Sequence, residues 1–361
     1  MSNERTQRLH DLGQSLWVDN ITRAMLRDGV LKGYIDDLSV TGLTSNPTIF
    51  DKAISGGDDY DEQIAQSDAA TTEETFFELA IADLGEAADL LSGVHERTDA
   101  VDGFVSLEVS PLLADDADAS IEQAARLHAQ AGRDNVFIKI PGTPNGLRAI
   151  EETIYAGVPV NVTLLFSADQ YLAAADAYLK GIERRIAEGL NPDVASVASL
   201  FMSRWDVKVA ERTPEELRGT LGVAVGKAAY RSYRELLASG RMQGLQNRGA
   251  RPQRLLWAST GTKDETLSDV LYVEGLASPF TVNTMPENTL EAFSDHGEVG
   301  EPLAADGGDG DEVLEAHREA GMDPSELAEQ LQAEGKESFN DSWRALMASI
   351  SSQREKLGSA A

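Results

Sequence analysis

A single lysine stands near the end of the apolar run Val136-Phe137-Ile138-Lys139-Ile140-Pro141. Alternation along a strand puts Phe137 and Lys139 on one face and Val136, Ile138 and Ile140 on the other. So few polar residues predict a strand buried on both faces, as in a parallel sheet. Pro141 cannot donate to a central ladder and is expected to end the strand. Thr143 then reads as a helix N-cap, with Pro144 at the first helical position. Desolvation at such a strand end can lower a lysine pKa by several units and free the amine to attack a carbonyl. The competing reading is a lysine that snorkels from the strand end or pairs with a carboxylate.

Other short apolar runs end in residues that could work with such an amine. Residues 15–19 end in Asp19, and residues 40–47 carry Thr44 and Asn46. Residues 104–109 carry Glu108, and residues 158–164 carry Asn161 and Thr163. Ser199 lies in the run 197–202 with Arg204 just beyond it, and Ser259 lies in 255–260 with Lys263 beyond. Residues 279–284 are an eighth strand candidate. Helical patterns separate these runs at 6–13, 21–35, 73–94, 120–132, after Thr143, at 168–188 and at 221–237. Eight short strands alternating with helices predict a (β/α)8 TIM barrel, α/β in class. The open alternative, a doubly wound sheet, lacks a Gly-x-Gly-x-x-Gly turn after an early strand. In a barrel the carboxyl ends of all strands face one site. There the lysine would supply a nucleophile, the acids would move protons, and the cations would hold an anionic group. Singly, Asp19 could cap a helix, Asn46 could make a turn, Glu108 could be a surface acid, and Arg204 could pair with Asp206.

The elements that position these groups come from 361 residues, 42% hydrophobic and 25% charged. Lys and Arg total 31 against 61 Asp and Glu, a net charge of −30. Such a balance argues against nucleic acid or an anionic membrane as the main partner, and makes a cluster of cations a local exception. With no cysteine, disulfides and thiolate metal sites are excluded, and the five histidines are scattered without metal-ligand spacing. No metal is expected, and Gly261-Thr262-Lys263 lacks the spacing of a phosphate-binding Walker loop. The start lacks a signal peptide's apolar run and no segment is long enough to span a bilayer, so a cytoplasmic protein is expected. One domain is expected over 1–361, with a flexible acidic linker at 298–312 and a C-terminal helical arm at 313–357 carrying Phe339, Trp343 and Leu346.

Several of these stretches together resemble the transaldolases, Schiff-base enzymes of the pentose phosphate pathway. The resemblance is carried by Trp17-Val18-Asp19, Gly42-Leu43-Thr44-Ser45-Asn46-Pro47 and Val105-Ser106-Leu107-Glu108-Val109. It continues through Phe137-Ile138-Lys139-Ile140, Val160-Asn161-Val162-Thr163, Val197-Ala198-Ser199 and Trp257-Ala258-Ser259-Thr260-Gly261. Pro141-Gly142-Thr143 and Thr260-Gly261-Thr262-Lys263 depart from the enteric bacterial and eukaryotic forms and resemble the actinobacterial and cyanobacterial branch. The family implies a class I aldolase barrel with the lysine on its fourth strand. It implies dihydroxyacetone transfer between sugar phosphates, with the iminium as electron sink and no cofactor. Lys139 would attack C2 of sedoheptulose 7-phosphate or fructose 6-phosphate. Glu108 would shuttle protons through a water held with Thr163, and Asp19 would deprotonate the C4 hydroxyl. Asn46 and Asn161 would hold hydroxyls, with Thr44 beside them. Arg204 would hold the phosphate, with Ser199 adding a hydroxyl bond and Lys263 a second cation, and Ser259 would bind substrate. A homodimer is left open. The alternatives are a related aldolase releasing free dihydroxyacetone and a phosphosugar-binding barrel without turnover.

Overall fold

The apolar runs pair edge to edge as parallel strands, and the computed structural model, which describes residues 3–360, closes them into a barrel of eight in chain order. The strands are β1 (Gln14–Asp19), β2 (Val40–Thr44), β3 (Val105–Glu108), β4 (Val136–Pro141), β5 (Val160–Leu165), β6 (Ser196–Phe201), β7 (Arg254–Ala258) and β8 (Thr281–Met285). Helices connect them and cover the outer faces, which explains why the strands lack a polar side. Large and small side chains interlock inside the barrel. Trp17 is the register partner of Gly42, and a Cβ on Gly42 would lie 2.4 Å from the Trp17 ring. Phe137, on the inner face below Lys139, stacks on Phe104 at 4.1 Å.

Register fixes the height of the functional residues. Asp19 pairs with Thr44, Glu108 with Lys139, and Lys139 with Asn161. Thr163 lies two residues beyond Asn161 on the same face of β5, as Ser199 lies two beyond Val197 on β6.

Two local expectations are corrected. The pattern at 21–35 forms two helices, Arg23–Arg27 and Val30–Asp37, because the chain turns at Gly29 with φ +76°. The helix after β4 begins at Gly146 rather than at Pro144. Thr143 still serves its start: its hydroxyl accepts from the Gly146 N–H at 3.1 Å and donates to the Ala114 carbonyl at 3.2 Å. A Cβ at residue 146 would fall 2.0 Å from the Pro141 carbonyl oxygen, so glycine is required there.

The acidic segment 298–312 runs against the barrel. The Leu303 N–H donates to the Ala277 carbonyl at 2.9 Å, Asp309 pairs with Lys227, and a helix starts at Gly310. The C-terminal helix, Pro324–Ala360, then crosses the carboxyl ends of the strands. Its Trp343 enters an aromatic cluster with Phe76 at 5.1 Å and Phe77 at 5.8 Å, and Phe50 packs on Phe76 at 5.3 Å. Among the described residues no helix is long and apolar enough to cross a membrane.

Candidate active site

Most of the candidate side chains come from strand ends or the segments just after them, and the ends meet at a cavity of about 310 Å³. Lys139, on β4, is 5% exposed. Its Nζ donates to the Ser45 carbonyl at 3.1 Å and to Glu108 Oε2 at 3.3 Å. The carboxylate partner foreseen as the competing reading is thus present, and it is the second residue of the expected chemistry. A lysine paired with a buried acid can be structural, but here the other Glu108 oxygen, Oε1, has no partner among the described residues. Neither has the hydroxyl of Thr163, which lines the cavity. Buried polar atoms are normally paired, so two orphans flanking one amine mark a place where water or substrate is received. Burial pushes the Glu108 carboxyl above its ordinary value, Lys139 opposes this, and the Asp19 charge adds to it.

Asp19 faces the same cavity from the end of β1. The Thr44 hydroxyl donates to Asp19 Oδ1 at 2.8 Å, and the Thr284 hydroxyl must then donate to Thr44 across their 2.6 Å contact. Burial raises the Asp19 carboxyl; Lys139, the Thr44 bond and Lys263 pull it back. Two acids held upward by burial, beside one amine, suit proton transfer nearer neutrality than free carboxylates allow.

Asn46 caps a helix and also reaches the cavity. Its side-chain oxygen caps the helix Pro47–Ser55 through the Ile49 N–H at 3.1 Å, while the residue lines the cavity. Asn161 is placed differently from expectation. It is fully buried beneath the cavity, donating to Ser106 Oγ at 3.0 Å and accepting from Ser199 Oγ at 2.7 Å. Ser199 therefore spends its proton on Asn161 and has only acceptor capacity left toward the cavity, where a phosphate would need a donor.

Arg204, Lys263 and Lys52 line the cavity, and none of the three forms an ion pair among the described residues. Asp206, the suspected partner of Arg204, accepts instead from the Leu221 and Gly222 N–H groups at 3.1 and 3.0 Å and from the Tyr272 hydroxyl at 2.7 Å. Burial lowers the Arg204 guanidinium from its ordinary value, as expected of a cation that has shed water without gaining a carboxylate. Its Cζ lies 5.5 Å from the centroid of the Phe201 ring. Ser259 reaches the cavity at φ +55°, and its hydroxyl meets that of Ser203 at 2.9 Å. A non-glycine residue in that region is strained, and such strain gathers at functional sites. Among the described residues no group of three or more His, Asp or Glu is placed to hold a metal.

Sequence reasoning did not assign Lys52, Phe201, Thr284, Ser338 or Phe339 to the site, though all line it. Period two from Ser199 points to Phe201. Lys52 is on the helix that Asn46 caps, and only the helix geometry brings it round. Ser338 and Phe339 arrive on the C-terminal helix and carry no local signal.

Comparison with known proteins shows the family. The family model Transaldolase/Fructose-6-phosphate aldolase matches residues 16–350. The transaldolase of Frankia alni is 43% identical over 99% of each chain, and that of Parafrankia sp. 44% over 97% of each. Transaldolase 2 of Streptomyces coelicolor is 41% identical over 97% of each chain. The chain belongs to the transaldolase/fructose-6-phosphate aldolase family, and within it to the transaldolases.

Proposed function

We propose that the protein moves a dihydroxyacetone unit from sedoheptulose 7-phosphate or fructose 6-phosphate to glyceraldehyde 3-phosphate or erythrose 4-phosphate, through a Schiff base on Lys139. The observation that carries this reading is the Lys139 amine 3.3 Å from Glu108, opening on the same cavity as Asp19. Glu108 takes a proton from the amine, which attacks the C2 carbonyl. The same carboxyl, its pKa raised by burial, returns a proton to the carbinolamine hydroxyl as it leaves as water. A water between Glu108 Oε1 and Thr163 would relay that proton, which is support drawn from their unpartnered atoms.

Asp19 then accepts the C4 hydroxyl proton. The C3–C4 bond breaks, its electrons pass to the iminium, and an aldose phosphate leaves. The enamine left on Lys139 adds to an acceptor aldehyde by the reverse steps. Asn46 holds a substrate hydroxyl, and Asn161 stiffens the floor under Lys139 through Ser106 and Ser199. Arg204 and Lys263, with Ser259, hold the phosphate. Charged sugar phosphates do not cross bilayers unaided, so the enzyme would work in the cytoplasm. The whole chain would act as one domain, the segment 298–312 connecting the barrel to the arm. A coupled assay with sedoheptulose 7-phosphate and glyceraldehyde 3-phosphate tests the proposal. Release of erythrose 4-phosphate with formation of fructose 6-phosphate supports it. Free dihydroxyacetone as the main product would favour an aldolase, and no turnover would leave a binding barrel.

A further inference from the structure

We propose that Phe339, delivered by the C-terminal helix, shields the three-carbon fragment on Lys139 from water and thereby keeps the enzyme a transferase. This inference rests on the function proposed above. The centroid of the Phe339 ring lies 6.0 Å from Lys139 Nζ, so the amine is bounded by the Ser45 carbonyl, Glu108 and this ring. Phe339 is 8% exposed and meets Phe201 edge-on at 6.4 Å.

The ring is held there by construction. Gln332, on the same helix, donates from Nε2 to the Leu164 carbonyl at 2.9 Å and to the Gly142 carbonyl at 3.2 Å, tying the helix to the ends of β4 and β5. Leu164 itself sits at φ +60°, a strained position for a branched residue next to Thr163. Gly335 lets the helix approach, since a Cβ there would lie 3.1 Å from Leu164 Cδ2 and 3.4 Å from Phe166. Trp343, one turn on, anchors the same face.

The chemistry gives this wall a selective effect. After cleavage the fragment is an enamine, whose C3 lies about 2.5 Å beyond Nζ by ordinary bond lengths. Hydrolysis of the fragment must begin with a proton from water at C3, which makes the iminium. The hydroxide equivalent then adds at C2, and the C–N bond breaks with its electron pair returning to nitrogen as the new hydroxyl's proton passes to that nitrogen. One water is consumed, dihydroxyacetone leaves and the amine is restored. The full-length sugar imine needs no proton at carbon, so water relayed by Glu108 and Thr163 releases it normally. Excluding water from the Phe339 side therefore protects only the fragment, leaving addition to an aldehyde as its exit.

The test compares free dihydroxyacetone released from fructose 6-phosphate with transfer to erythrose 4-phosphate, in full-length wild type, Phe339→Leu and Phe339→Ala. The ratio of release to transfer should rise roughly threefold in Phe339→Leu and roughly tenfold in Phe339→Ala, the latter being about 1.4 kcal/mol between competing paths. Dihydroxyacetone released in D2O should carry one carbon-bound deuterium. Should Phe339→Ala not fold, the rise in Phe339→Leu decides. An unchanged ratio while borohydride still traps the fragment on Lys139, or release and transfer falling together, would overturn the inference. Absence of both transfer and trapping in the wild type would instead overturn the functional reading beneath it.

Discussion

The two ends of β3 hold two buried carboxylates in opposite condition. Asp102, just before the strand, has both oxygens engaged. Oδ1 accepts from Trp17 Nε1 at 2.7 Å and the Gly103 N–H at 3.2 Å, and Oδ2 accepts from the Thr41 hydroxyl at 2.8 Å with Arg254 at 3.9 Å. Glu108, at the other end, has one oxygen on Lys139 and the other on no atom of the described residues. Both are buried to a similar degree. A carboxylate surrounded by donors holds a structure together, whereas one left half-partnered beside an amine can exchange protons. The contrast extends to the cations. Arg254 below donates to the Val101 and Thr281 carbonyls, while Arg204, Lys52 and Lys263 above form no ion pair among the described residues.

Breaking the upper end should abolish or cripple chemistry while leaving the fold. Lys139→Ala is expected to lose transfer and to yield no dihydroxyacetone adduct on borohydride reduction with fructose 6-phosphate. Mass spectrometry of the peptide containing Lys139 checks this, and normal activity would refute the role. Asp19→Ala should still form the imine, because Lys139 remains, but should cleave it about 10² to 10⁴ times more slowly. Rapid-quench trapping separates the two steps. Arg204→Ala should lower kcat/KM for phosphorylated donors roughly a hundredfold, the loss of charge-assisted bonds of about 1.5 to 3 kcal/mol each. Unphosphorylated fructose should be used almost as before. An equal loss on both donors would move Arg204 from the phosphate to the fold.

The barrel was legible because strands covered on both faces appear as unbroken apolar runs, and eight such runs alternating with helices leave few topologies. Lys139, Glu108 and Asp19 were legible for the same reason: a charged residue ending such a run must point to the mouth. Whether an inward residue reaches the cavity or stops beneath it was not legible. Asn161 and Ser199 share a face with Thr163 and Phe201, yet hydrogen bonds across the barrel draw Asn161 under the floor. Nor could alternation reveal Phe339 or Lys52, which depend on how a helix packs over the strand ends. The break at Gly29 and the late helix start at Gly146 were turn geometry that periodicity does not encode.

Breaking the lower end should do the reverse. Asp102→Ala leaves the Trp17 N–H without its acceptor, leaves the Thr41 hydroxyl only the Leu16 carbonyl at 3.4 Å, and removes the charge facing Arg254. A loss of about 2 to 4 kcal/mol in stability is expected, read from the urea midpoint at unchanged slope. At a temperature where the variant is folded, kcat/KM should stay within about twofold of wild type. A large fall in kcat with little change in the midpoint would show that the two ends are not separable.

The smallest expected effect is the most pointed, because it asks whether the upper end is held at a cost to stability. Asp19 is raised by burial, with Lys139, the Thr44 bond and Lys263 only partly compensating. A carboxyl with a raised native pKa binds its proton more tightly folded than unfolded. Its contribution to stability is thus fully present below the unfolded value of about 3.9, and is lost as pH rises through the native value. Asparagine has no such proton and can still accept the Thr44 bond. Asp19→Asn should therefore melt about 1 to 3 °C above wild type at pH 7 to 8, and the gap should close below about pH 4. Activity in that variant should be as low as in Asp19→Ala, since the amide cannot take the C4 proton. Calorimetric scans across that pH range decide the point. A variant that melts lower at pH 7 would mean that Lys139 and Lys263 already stabilise the Asp19 carboxylate, and that the mouth of the barrel is as well satisfied as its base.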